Sequence, residues 1–440
     1  MDSHCKSMLY CVHTKRKDQA IRMDILHCAK ELFPETVRLR RHFHENPEPS
    51  NEEIDTIAFL ENDLKHLGIP TINVKDGGLL GIIDSGKPGK TLLMRADTDA
   101  LPIMENPQNL KQAKCCVSKR PGYSHACGHD GHMAMLLTAT RILQAHKDAF
   151  KGKILLCFER GEEESGDIQN LLPYLVNELG FAIDGCYATH VRWDIPAGKV
   201  AILPGAAMAG GLGFEVRLEG KFGHGARPDL ANNPMDCFTD LYQQFNAFRM
   251  REVDPFSCLT VSLGYVKAGE KYNVIPGTLD FGGTARFFSY EKAGHPFEEF
   301  LKKTLKNTAD TYQCQAEILH MPEALYEVQN NPDCAALGQK AVAEALSPEA
   351  LITPAPWMAS ESFALMLQLW PGVLAFTGIA NGDMGCGANH HTPEFDMDEK
   401  GLLYGAAMGV AYALGFLNTD FTPRFTPNTE PVEQLSRRNI

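Results

Sequence analysis

Apolar residues recur at helical spacing twice near the start of the chain. Ile25, Ala29, Leu32 and Phe33 continue towards Val37 and Leu39, and Ile54, Ile57, Ala58, Leu60, Leu64 and Leu67 make a second stripe. The second helix is expected to begin near Ser50, with Glu53 three residues on as a capping box, and to end at Gly68. Asn46-Pro47-Glu48-Pro49 marks the turn between the two helices. The period then changes. Short apolar runs at 79–83, 91–94, 153–158 and 185–189, bounded by turn residues, predict strands. The run at 153–158 has no polar alternation, as expected of a strand buried on both faces of a parallel sheet. A helix is expected over 133–146, where Leu136, Leu137, Ile142 and Leu143 are apolar.

From about Gly210 the texture shifts. Phe214, Val216 and Leu218 alternate with polar residues, as in a half-exposed antiparallel strand. A helix at 233–249, strands at 259–266 and 278–287, and a helix at 296–313 complete an inserted α+β unit. The chain then returns with a helix at 332–346, a strand at 373–379 and a helix at 400–417. The expected fold is therefore α/β, a mostly parallel sheet interrupted by an α+β insertion. The expected division is an extension at 1–22, a discontinuous domain at 23–208 and 323–420, the insertion at 209–322, and a loosely ordered tail at 421–440.

The strands also carry chemistry. Successive runs lead into Asp97 and Asp99, into Glu162 and Glu163, and into His190, and parallel sheets bind ligands at the carboxyl ends of their strands. The stretch Ser124-His125-Ala126-Cys127-Gly128-His129-Asp130-Gly131-His132 concentrates metal-binding side chains just before a helix. In an extended segment Cys127 and His129 share a face and make a half-site for a divalent transition metal. His390 and His391 compete for one further place, and the spacing to Pro393 selects His391. Cys127, His129, Glu163, His190 and His391 suit two ions about 3.5–4 Å apart, which lower the pKa of a bound water to about 7. Glu163 would then hold metal while the adjacent Glu162 takes and returns a proton. Asp99 is read as a carboxylate standing behind a ligand histidine, with direct ligation as the alternative. Thiolate with imidazole favours zinc, and manganese, cobalt and nickel suit the carboxylates.

Composition narrows the setting. Across 440 residues the formal charge is −13 with no clustered basic face, which argues against a nucleic-acid partner. Thirteen irregularly spaced cysteines read as reduced thiols, and residues 1–23 carry too many charges for a signal-peptide core. No stretch reaches the roughly 20 apolar residues of a membrane span. A cytoplasmic protein is expected.

Taken together the residues form a resemblance. Arg95-Ala96-Asp97-x-Asp99-Ala100-Leu101-Pro102, the 125–132 stretch, Glu162-Glu163, Gly223-His224-Gly225-Ala226-Arg227-Pro228, Asn273-Val274-Ile275-Pro276, Gly283-Thr284-x-Arg286 and His391-x-Pro393-x-Phe395-Asp396 occur in order over 35–418. The chain resembles the di-metal amidohydrolases that include hippurate hydrolase, bacterial N-acyl-amino-acid hydrolases and plant auxin-conjugate hydrolases. The resemblance implies a di-metal peptidase domain and a lid domain that often forms homodimers. It places the metal ligands on Cys127 (bridging), His129, Glu163, His190 and His391, and the general base on Glu162. It places an oxyanion-supporting histidine on His224 and substrate-carboxylate contacts on Asn273 and Arg286. The implied reaction is hydrolysis of N-acyl or N-aroyl amino acids. The alternatives are a metallo-carboxypeptidase or dipeptidase, and a catalytically silent binding relative. Three features depart from the family pattern: Glu159-Arg160-Gly161 where Gln-Pro-Ala is usual, Ser362 in place of the Asp of Glu-Asp-Phe, and a basic loop at 111–120 with Cys115-Cys116.

Overall fold

The computed structural model describes residues 23–438 apart from residue 165; the expected extension at 1–22 lies outside the described residues. The chain divides into two compact units. One takes residues 23–205, Asn330–Ala355 and Met366–Ser436, and the other takes Ala206–Gln329, Pro356–Leu365 and residues 437–438.

The first unit is built on a seven-stranded sheet. Strands β1 (Thr71–Val74), β2 (Gly78–Asp84), β3 (Thr91–Asp97), β4 (Lys153–Glu159) and β5 (Gly185–Pro196) lie in the order β1-β2-β4-β3-β5. Gly372–Ala380 and Val200–Ala201 follow beyond β5. The middle of the sheet is parallel: β3 pairs in parallel with β4 and β5, and β5 with Gly372–Ala380. β2 and Val200–Ala201 add antiparallel pairings. β4 is buried from residue 154 to residue 159, as expected of the 153–158 run without polar alternation, and every residue of β3 is buried as well. Helices α1 (Ile25–Glu45) and α3 (His129–Ala145) pack with each other and with the helix Lys400–Leu417. That last helix is apolar and long enough to cross a membrane by composition, but it is mostly buried in the core.

Local outcomes differ from the sequence expectation in four places. α2 (Ile54–His66) starts after Glu53, yet the Ser50–Glu53 capping box does not form. Ser50 instead donates to Asp99 and Glu53 accepts from Gly161. α3 begins at His129 rather than at 133. β5 runs on through His190 to Pro196, so His190 lies inside the strand and not past its end. The tail is ordered through its described residues, as far as Arg438: Arg424 pairs with Asp333 at 2.8 Å, Val432–Leu435 is helical, and Arg438 lies 4.4 Å from the Tyr326 ring centre. Proline-rich polar sequence here is held by specific ion pairs and ring contacts.

The second unit is a four-stranded antiparallel sheet, in the order Leu259–Ala268, Thr278–Phe287, Gly210–Glu219, Gln315–His320. Helices Pro234–Arg251 and His295–Thr311 cover it. Phe214, Phe245, Phe281 and Phe297 fill the space between.

Candidate metal centre

A turn, rather than extended chain, brings Cys127 and His129 to one place. Gly128 between them has φ +94° and caps α3, of which His129 is the first residue. A Cβ on residue 128 would lie 2.3 Å from Cγ2 of Val191, so the kink depends on glycine. The shared face expected of an extended segment is thus replaced by a left-handed bend with the same result.

Four of the sequence candidates close around Cys127. Its Sγ is 3.5 Å from Nε2 of His190 and 3.3 Å from Nε2 of His391. The same His391 nitrogen is 3.3 Å from Oε1 of Glu163, which in turn is 3.7 Å from Nε2 of His129. Oε2 of Glu162 lies 3.9 Å from that His129 nitrogen. His391 reaches its place with φ +61°, a strained backbone for a non-glycine residue, and its N–H donates to the Ala126 carbonyl at 3.0 Å. His390 turns the other way and donates from Nδ1 to the Cys127 carbonyl at 3.1 Å.

The histidines are oriented from behind. Nδ1 of His129 donates to Asp99 Oδ1 at 3.0 Å, and Nδ1 of His190 donates to the Val191 carbonyl at 2.6 Å. Each therefore presents Nε2 to the centre, the tautomer a metal needs. His132 is consumed elsewhere: Nε2 accepts the Val191 N–H at 2.9 Å and Nδ1 donates to Asp97 at 2.6 Å. Asp97 also accepts from Arg95, which reaches Glu159 at 2.6 Å. The odd Glu159 thus answers a buried guanidinium.

The donor set fits divalent cations. Nε2 of His129 and Oε1 of Glu163 are both buried without a hydrogen-bond partner. Burial, then the charge of Glu163, pushes the Cys127 thiol well above its ordinary pKa, so a thiolate there requires a cation beside it. Burial works against charge on His129, but Asp97, Cys127 and Asp99 outweigh it and raise its pKa well above the usual value. Burial and the neighbouring His132 and His390 hold His190 neutral, as a ligand must be. Carboxylate and thiol donors set among imidazole nitrogens make a site for positive charge, and sets of three donors overlap at Cys127, His129 and Glu163.

His224, Asn273 and Arg286 belong to the second unit. The two-residue strand Gly223–His224 pairs with Val274–Ile275, placing His224 opposite Val274 and next to Asn273 in register. Gly225 N–H donates to the Asn273 carbonyl at 2.9 Å, and both His224 and Asn273 are exposed. Arg286, on Thr278–Phe287, donates to Ser360 Oγ.

Sequence reasoning passed over Ser50 and Glu53 as contributors to this region, whereas His132, expected to support the centre rather than to ligate, does bond to Asp97 behind it. Ser50 and Glu53 carried a signal, but it was read as helix capping.

A parallel α/β sheet that gathers such donors beside a second carboxylate defines a binuclear metallohydrolase. Residues 93–414 match peptidase family M20/M25/M40, and the chain belongs to that family. It is 31% identical over 412 residues to IAA-amino acid hydrolase ILR1-like 2 of Arabidopsis thaliana, covering 90% of this chain and 89% of the relative. It is 32% identical over 378 residues to the N-acetyl-L-cysteine deacetylase of Bacillus subtilis, covering 84% and 86%. The structure of Bacillus subtilis YXEP, described as a dinuclear metal binding peptidase of the M20 family, superposes with a TM-score of 0.73 at 26% identity, covering 89% of this chain and 99% of that one. The chain is accordingly a hydrolase that uses two divalent metal ions, and the reading of a catalytically silent relative falls away.

Proposed function

We propose that this enzyme hydrolyses the amide bond of N-acyl or N-aroyl amino acids, releasing a carboxylic acid and an amino acid. The observation that carries the reading is the convergence of Cys127, His129, Glu163, His190 and His391 with Glu162 beside them. Relatives named for hydrolysis of IAA-amino acids and for deacetylation of N-acetyl-L-cysteine support the substrate class.

In this reading Cys127, His129, Glu163, His190 and His391 would hold the two ions. Bound there, the ions supply Lewis acidity towards the scissile carbonyl and an acidified water. Glu162 takes the proton from the attacking water and returns it to the leaving nitrogen. Its side chain is about one-tenth exposed, so little solvent competes for the proton. Asp99 fixes His129 and also receives the Glu163 N–H at 3.0 Å, which ties one ligand's ring to the other's backbone. An imidazole at His224 suits a developing oxyanion, and the amide of Asn273 and guanidinium of Arg286 suit a substrate carboxylate. Zinc or manganese is the proposed metal, with cobalt and nickel as alternatives.

Two further proposals concern the setting. The edge strands Leu259–Ala268 and Gln315–His320, with Val266, Ile318 and Leu319 exposed, support a homodimer through the second unit. Eleven free cysteines among the described residues support a reducing, cytoplasmic location. A peptidase or dipeptidase activity is the second reading, favoured by the description of the YXEP structure as a peptidase.

The test is turnover by metal-stripped protein to which zinc, manganese, cobalt or nickel is restored, over a panel of N-acyl amino acids and dipeptides. The expected result is metal-dependent release of amino acid, fastest from acyl or aroyl conjugates. No metal-dependent rate on any acyl amino acid overturns the reading, and faster dipeptide cleavage moves it to the second.

A further inference from the structure

The departure Glu159-Arg160-Gly161 leads directly into Glu162 and Glu163, and both of its last two residues are gripped by one buried side chain. Glu53 sits at the start of α2 with its carboxylate wholly buried, and makes no capping bond to that helix. Oε1 accepts the Gly161 N–H at 2.7 Å and Oε2 accepts from Nε of Arg160 at 3.1 Å. The neighbouring residue Asn51 adds a second hold, since its carbonyl accepts from Arg160 at 2.6 Å. Arg160 also faces Asp167 at 3.3 Å. Gly161 has φ +64°, and a Cβ there would stand 3.0 Å from Oδ1 of Asn51, so the turn lies close against the 51–53 segment.

The same segment reaches the other side of the glutamate pair. Ser50 donates to Asp99 Oδ2 at 2.6 Å, the oxygen that also receives the Glu163 N–H, while Asp99 Oδ1 receives His129. Residues 161 and 163 are therefore pinned from both ends, one through Glu53 and one through Asp99, with Glu162 between them. We propose that Glu53 is a positioning residue that holds the 161–163 turn so that Glu162 and Glu163 point into the metal centre. The inference rests on the assignment of Glu162 and Glu163 made above.

Ionisation of Glu53 is disfavoured where it stands. Burial and then the nearby Asp99 raise its pKa to about 7, with the Gly161 N–H and Arg160 offsetting only part of that effect. A carboxylate kept in such surroundings costs folding free energy when ionised. What it supplies is geometry at the residue before the base, where a displacement of about 1 Å lowers a rate about 100-fold.

The experiment compares Glu53→Ala and Glu53→Gln with the parent, measuring kcat, KM, bound metal and amide hydrogen exchange of the 160–164 segment. Glutamine keeps an acceptor for the Gly161 N–H and alanine does not. Glu53→Ala is expected to lose kcat by about 10- to 100-fold. It should keep KM within about 2-fold, keep both metals, and exchange faster at 160–164 even when metal-free. Glu53→Gln is expected to recover kcat to within about 5-fold of the parent. Unchanged exchange at 160–164 overturns the proposal, as does a kcat for Glu53→Ala within about 2-fold of the parent, or a loss that tracks metal release. If the parent turns over no acyl amino acid, the functional reading fails, while hydrogen exchange still decides the role of Glu53.

Discussion

Asp99 and His129 form the joint on which the centre turns: Oδ1 of Asp99 receives Nδ1 of His129 at 3.0 Å, and this leaves Nε2 to face Glu163 and Glu162. Asp99 is buried, and although burial opposes its ionisation, the bonds from His129, Ser50 and the Glu163 N–H hold its pKa below the ordinary value. Asp99→Asn keeps the volume and loses the charge. Metal affinity is expected to fall about 10- to 100-fold, with kcat at saturating metal much less affected. A titration of activity against buffered free metal measures both.

Glu162→Gln removes the proposed proton carrier and leaves every proposed ligand in place. The expected outcome is an unchanged two-metal content with kcat lowered by about 100- to 10,000-fold. Metal analysis beside steady-state kinetics checks it, and near-normal turnover would remove the assignment of Glu162 as base.

Gly128→Ala puts a side chain where φ is +94° and where Cγ2 of Val191 stands 2.3 Å from the new Cβ. The left-handed conformation and the clash together are expected to cost about 2 kcal/mol or more. Because residue 128 separates two proposed ligands, metal content should fall along with stability. Thermal unfolding with and without added metal separates the two effects: added metal should restore little of the lost stability.

The loop at 111–120 is anchored by Glu105, which accepts from His44 at 2.9 Å, Lys114 at 2.8 Å and the Ser118 N–H at 2.6 Å. Burial opposes its ionisation, but these partners prevail and lower its pKa from 4.5 to about 2. A depressed carboxylate adds stability that is full above its unfolded pKa and is lost as pH falls through the folded one. Glu105→Gln is therefore expected to cost up to about 3 kcal/mol near neutrality, a gap that narrows below about pH 4.5. Urea unfolding of both proteins between pH 7 and pH 3.5 reads this difference.

Much of the centre was legible in the sequence because its chemistry is local. Cys127, His129 and His391 announce themselves by residue type and spacing, and Glu162-Glu163 by coming soon after the apolar run at 154–158. The geometry that joins them was less legible. Cys127 and His129 meet through a left-handed glycine at a helix start, where pattern alone predicted extended chain and a helix four residues later. Ser50 and Glu53 have the spacing of a capping box, but a buried carboxylate takes the strongest donors within reach, and here those are Gly161 and Arg160. His190 lies within β5 because backbone pairing with Gly372–Ala380 carries that strand further than its apolar run. Ion pairs between residues far apart in sequence, such as Arg424 with Asp333, likewise order a tail whose composition predicts looseness.

The most direct test is anomalous diffraction from crystals of the metal-loaded protein. Two peaks about 3.5–4 Å apart are expected, with Cys127 between them and His129, Glu163, His190 and His391 completing the shells. A single peak, or metal bound away from these five side chains, contradicts the account.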